Sequence, residues 1–126
     1  MDKYKRTEIE GIKYYGKHFI LDAKLCNPNV LKKTEISRCI EEIVKKIDMV
    51  PYKELIIHRF GEGIEEGISA VQLIMTSSIT VHTNDYSRDL YLDVFSCKWF
   101  DETIIVEIID KIFEPFNINT TIILRK

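Results

Sequence analysis

The chain has 126 residues, 45% of them hydrophobic and 30% charged, with a net charge of -2 and few glycines or prolines. That is one domain's length, enough to bury a core without metals or disulfides, and the composition excludes a disordered chain. The near-neutral charge argues against nucleic acid as a partner, and no run approaches the roughly 18 to 20 apolar residues that a membrane span needs.

Residues 1 to 13 mix Lys, Glu and Asp without a period and read as an N-terminal tail, leaving 14 to 126 as a single domain. "YYGKHFILDAKLC" (14 to 26) is rich in aromatic and branched side chains and predicts a strand. Asn27 and Pro28 then offer a cap and a first helical residue. Beyond them Ile36, Cys39, Ile40, Ile43, Val44 and Ile47 recur at the three-and-four spacing of one buried helical face.

"YKELIIHRF" (52 to 60) predicts a second strand, closed by the loop "GEGIEEG" (61 to 67). That loop has no GK[ST], and its three glutamates would repel a phosphate. "ISAVQLIM" (68 to 75) and "ITVHT" (79 to 83) are strand-like runs that meet at Thr76, Ser77 and Ser78. "DLYLDVFSC" (89 to 97) alternates as another strand.

"DETIIVEIIDKIF" (101 to 113) has strand-favouring isoleucines, but Ile104, Ile105, Ile108 and Ile112 keep the helical period and Asp101 can cap, so a helix is expected. "INTTIILR" closes as a strand. The expected fold is α+β: a two-layer α/β sandwich, with two helices on one face of a mainly antiparallel sheet.

The three cysteines, Cys26, Cys39 and Cys97, show no CxxC spacing and leave one unpaired in any disulfide scheme, which fits a reducing, cytoplasmic setting. With three scattered histidines they indicate no metal site. Cys39 lies on the helical stripe as core, and His18 and His58 sit in apolar strands as structural histidines.

The densest polar chemistry is in "MTSSITVHT" (75 to 83). On a strand Ser78, Thr80 and His82 share one face and Ile79 and Val81 the other, a pattern that a plain polar strand face would also give. Ser77 sits at the turn, where that logic fails. A triad of Ser77, His82 and Asp85 or Asp93 lacks a G-x-S-x-G elbow, and Cys97 at a strand end is either a small core residue or a thiol nucleophile.

"GKHFILD" (16 to 22), "HRF" (58 to 60), "GISAV" (67 to 71), "SSITVHT" (77 to 83) and "DVFSC" (93 to 97) together resemble, in order, the short prokaryotic S-adenosylmethionine decarboxylases. The resemblance runs from about residue 15 to 126 and implies a proenzyme. In that family the chain cuts itself before a serine in an "E-S-H-x-x-x-H-T" motif and turns that serine into a pyruvoyl group. Here the serine falls on Ser77 and the cut between Thr76 and Ser77. His82 takes the role of base, Ser69 assists it, and Cys97 returns a proton to the substrate. The pyruvoyl carbonyl condenses with the substrate amine and withdraws electrons as carbon dioxide leaves. Phe60 is similar to the aromatic that stacks on adenine, with Phe19 on its other side. The resemblance further implies a homodimer of cleaved chains, with active sites near the interface.

Thr76 stands where the family has Glu, and Ser78 where it has His. "H-T-W-P-E" reads "HTNDY", so Tyr86 replaces the glutamate expected on the ribose, with Asp85 beside it as a substitute. The leading expectation is a self-processing decarboxylase of S-adenosylmethionine feeding spermidine synthesis. Two further readings follow from the departures: pyruvoyl chemistry on another amino acid such as ornithine or arginine, or an uncleaved relative that binds a ligand or partner subunit.

Overall fold

The structure, a computed structural model, describes residues 6–126. The first five residues of the expected tail lie outside that range. The rest of the tail is ordered as a small hairpin, β1 (Glu8–Ile9) and β2 (Ile12–Lys13). Its turn, Glu10 and Gly11, has φ of 51° and 80°, the left-handed pair that matches the twist of a two-residue hairpin. Strands of two residues are too short to show a period, which is why the pattern did not reveal them.

A six-stranded antiparallel sheet follows, made of β3 (Gly16–Lys24), β4 (Ile56–Phe60), β5 (Gly67–Ile74), β6 (Ser77–Asn84), β7 (Asp89–Ser96) and β8 (Asn117–Arg125). Its spatial order is β4-β5-β6-β7-β3-β8. The connections from β4 through β7 are hairpins, and the helical segments link the remaining strands.

Among the described residues the α-helices are α1 (Lys33–Lys46) and α2 (Glu102–Phe113). α1 buries Ile36, Cys39, Ile40, Ile43 and Val44, and α2 buries Ile105, Ile108, Ile109, Ile112 and Phe113. These stripes close on the inward residues of the sheet, including Phe19, Leu21, Ile68, Ile79, Val81, Leu90, Leu92 and Val94, to form one core. The expected two-layer arrangement is therefore the observed one, and the isoleucine-rich stretch is a helix.

The helix expected to begin after Asn27 is split. Asn27 caps a 3-10 turn (Pro28–Leu31), its side chain accepting from the Asn29 N–H, and Lys32 is extended before α1 starts. The split answers a need at the far end of α2, whose last carbonyls have no partner within the helix. The side-chain amides of Asn27 and Asn29 donate to Ile112 O, and Asn27 N–H donates to Phe113 O.

Period two leaves a second face on the sheet, away from the helices. It carries His18, Ile20, Asp22, Ser69, Val71, Ser78, Thr80, His82, Tyr91, Asp93 and Phe95, all outside the core set. The face is partly apolar: Ile56, Phe60, Leu73 and Ile123 are each about half exposed. The chemistry-bearing side chains gather here and at one rim.

Candidate active site

Ile74 pairs with Ser77, so Met75 and Thr76 form a two-residue turn between β5 and β6. The segment after α1 clamps this turn, Met75 N–H donating to Val50 O at 2.9 Å and Tyr52 N–H to Leu73 O at 2.8 Å. On the other side Ser77 pairs with Ser96, which sets the next residue, Cys97, against the turn. The result is convergence on one carbonyl. The Ser77 hydroxyl donates to Thr76 O, and the Cys97 thiol reaches the same oxygen at 3.3 Å.

Such an arrangement suits an internal acyl shift. The Ser77 hydroxyl is held at the carbonyl of the residue before it, and the thiol supplies a donor where a tetrahedral intermediate would place its oxyanion. Ser78, by contrast, points onto the open sheet face opposite Phe95.

The second cluster lies at the other end of β6. Ser69 pairs directly with His82, and Ser69 Oγ is 2.8 Å from His82 Nδ1. The imidazole stacks on Tyr91, with ring centroids 6.5 Å apart. If Nδ1 carries the proton and donates to Ser69 Oγ, the Nε2 lone pair is free to act as a base; the other tautomer leaves a proton there instead.

These two clusters do not meet within one chain. Ser77 and His82 lie five residues apart on one continuous strand, which at about 3.3 Å per residue separates them by roughly 16 Å. The base role expected of His82 toward Ser77 is therefore out of reach within a single chain.

Two binding expectations also change. Phe19 is 1% exposed in the core between sheet and helices, because its parity on β3 turns it inward; it cannot stack on a ligand. Asp85 Oδ2 forms an ion pair with Arg59, which also donates to Leu31 O and lies 3.5 Å from Glu66, so that oxygen is held at the helix side, and Oδ1 is buried rather than presented to a ligand. Phe60 is 59% exposed at the end of β4, opposite Gly67. A Cβ at Gly67 would fall 1.9 Å from Thr83 O, so only glycine lets β5 pass β6 so closely there. Tyr86 projects into solvent at the following turn.

On the open face His18 is the hydrogen-bonded structural histidine that was expected, while its partners and the surroundings of His58 were not legible in the sequence. His18 Nε2 lies 2.9 Å from Asp93 Oδ1, and Phe95 meets His18 edge-on and stacks with Tyr15. His58, expected in an apolar setting, stands exposed beside Ser69, which continues a polar row through His82 and Tyr91 to Asp22. Period two places each on that face, but pairing across strands needs the register.

Residues 17–126 match the family described as S-adenosylmethionine decarboxylase. A S-adenosylmethionine decarboxylase proenzyme of Clostridium botulinum (strain Langeland) is 32% identical over 96 residues, covering 75% of this chain and 80% of that protein. One from Thermococcus kodakarensis is 32% identical over 91 residues, covering 72% of this chain and 59% of its own length. The crystal structure of the adenosylmethionine decarboxylase from Aquifex aeolicus superposes with a TM-score of 0.74 at 21% identity, covering 90% of this chain and 92% of that one, and so shares the fold.

Proposed function

The chain belongs to the S-adenosylmethionine decarboxylase family, and from that membership we propose that it cuts its own backbone between Thr76 and Ser77 and then decarboxylates S-adenosylmethionine. The observation that carries the proposal is the Thr76 carbonyl oxygen, met at once by the Ser77 hydroxyl and the Cys97 thiol.

The maturation steps balance on this chain's own atoms. Ser77 Oγ attacks the Thr76 carbonyl carbon, the C–N bond breaks, and the hydroxyl proton passes to the released Ser77 amine, leaving an ester. A base takes the Ser77 α-proton and the Thr76 carboxylate leaves from Cβ. Water then replaces the amine as ammonia, leaving Thr76 as one chain's C-terminus and a pyruvoyl at position 77. The donor set fits that group: a serine next to a polarised carbonyl and a thiol at the same point. When formed, the pyruvoyl supplies a carbonyl that condenses with the substrate amine and accepts the electrons freed as carbon dioxide leaves.

The base comes from a second copy. With His82 about 16 Å from Ser77 along its own strand, a two-fold packing of open face on open face, roughly 10 Å apart, exchanges the ends. His82 and Ser69 of each chain then serve Ser77 and Cys97 of the other. The half-exposed Ile56, Leu73 and Ile123 on that face supply apolar surface for the contact.

Phe60, exposed beside the Ser69 and His82 cluster, offers a platform for the adenine. Three buried cysteines outside any disulfide suit the reducing cytoplasm. The test is release of labelled carbon dioxide from carboxyl-labelled S-adenosylmethionine, ornithine and arginine, offered separately to the cleaved protein. Release from S-adenosylmethionine is expected; release only from ornithine or arginine would contradict the reading.

A further inference from the structure

Thr76 owns a second set of contacts that the cleavage chemistry does not use. Its hydroxyl lies 3.0 Å from Ser96 Oγ and 3.5 Å from Met49 Sδ. Ser96 is fully buried, accepts from the Lys98 N–H at 3.0 Å, and lies 3.9 Å from the same sulfur.

Each hydroxyl has one proton to give, and a thioether sulfur can only accept. If Thr76 donated to Ser96, Ser96 would have to use the longer 3.9 Å contact to Met49. If Ser96 donates to Thr76, then Thr76 donates to Met49 across the shorter 3.5 Å contact, and Ser96 keeps a lone pair for Lys98 N–H. The second arrangement satisfies every group with the shorter bonds.

We propose that Ser96 is a positioning residue for self-cleavage: through its hydrogen bond to the Thr76 hydroxyl it fixes which way the Thr76 carbonyl faces. A β-branched side chain is stiff about χ1, so anchoring its hydroxyl restrains the backbone it is attached to. The carbonyl is thereby held toward Ser77 Oγ and Cys97 Sγ, instead of turning freely at the tip of a two-residue turn. Met49, held by its N–H to Val44 O, completes the cradle from the segment that also clamps Met75. The residue just before the scissile bond thus takes part through its side chain as well as its carbonyl.

The inference rests on the self-cleavage reading, and the test separates the two. The rate of cleavage is followed by denaturing gel in freshly synthesised wild type, Ser96→Ala, Thr76→Val, Thr76→Ser and the double variant Thr76→Val with Ser96→Ala. Thr76→Val keeps size and branching but loses the hydroxyl, and Thr76→Ser keeps the hydroxyl. The expected result is cleavage about fivefold to tenfold slower in Ser96→Ala and in Thr76→Val, the factor one neutral hydrogen bond is worth. The double variant should be no slower than either single, and Thr76→Ser, which keeps the hydroxyl without the stiff branched χ1, should fall between wild type and Thr76→Val. Wild-type cleavage in Ser96→Ala, or rate losses that multiply in the double variant, would overturn the role of Ser96 while leaving self-cleavage intact. A wild-type chain that never cleaves would instead sink the parent reading. Melting temperatures taken on the uncleaved chains identify loss of fold as the cause of a slow rate, which also counts against positioning.

Discussion

If the processing base comes from the other chain, two dead variants should repair each other. Ser77→Ala has no nucleophile and His82→Ala no base, so neither alone should cleave. In a mixed dimer, Ser77 of the His82→Ala chain faces the intact His82 of the Ser77→Ala chain, and that site is complete. The second site carries both lesions and stays dead. With equal co-expression and random assortment about half of the His82→Ala chains sit in mixed dimers, so about half of them should be cut and none of the Ser77→Ala chains. The basis is distance: roughly 16 Å separates the two positions along one strand, against the hydrogen-bond reach of about 3 Å that proton abstraction requires. The assay is a denaturing gel with different tags on the two chains. No cleavage in the mixture, beside a wild type that cleaves under the same conditions, would refute the shared site.

Other outcomes follow from packing and charge. Phe19→Ala should cost about 3 to 5 kcal/mol of stability by opening a core cavity, read by denaturant titration; Phe60→Ala should leave stability nearly unchanged but raise KM for S-adenosylmethionine about tenfold, within the range of one lost stacking contact. Burial pushes the Cys26 thiol up to about 11, so at pH 8 only about a thousandth of it is thiolate, and native alkylation followed by peptide mapping should find it unmodified. Asp89 is held below the usual carboxylate range: burial opposes its charge, but the Leu25 N–H, Ser87 and Lys24 outweigh that. A depressed carboxyl stabilises the fold above its unfolded pKa and loses that contribution as pH falls through the folded value. Asp89→Asn should therefore flatten the decline in melting temperature below about pH 4.

The fold was legible where a face repeats. The stripe from Ile36 to Ile47 and the Ile105, Ile108, Ile112 series specified both helices, and alternation in "ITVHT" placed Ser78, Thr80 and His82 outward as observed. What period could not carry was parity against a particular core. Phe19 and Ile20 are equally apolar in the sequence, and only the sheet shows Phe19 turned in and Ile20 out. Asp85 looked free because its partner, Arg59, is 26 residues away and meets it through strand pairing. The separation of Ser77 from His82 was in plain sight as a count of five residues, yet its meaning depended on β6 being unbroken from one to the other. The cradle at Thr76 joins residues 49, 76 and 96, three segments whose proximity no local pattern encodes.

The central claim is that the Thr76 to Ser77 bond breaks by the chain's own chemistry. Intact mass of the purified, incubated protein tests it most directly. The account predicts two chains, 1 to 76 and 77 to 126, with the second lighter by one ammonia than simple hydrolysis would leave it. A single unmodified chain of full length, persisting after long incubation, would contradict it.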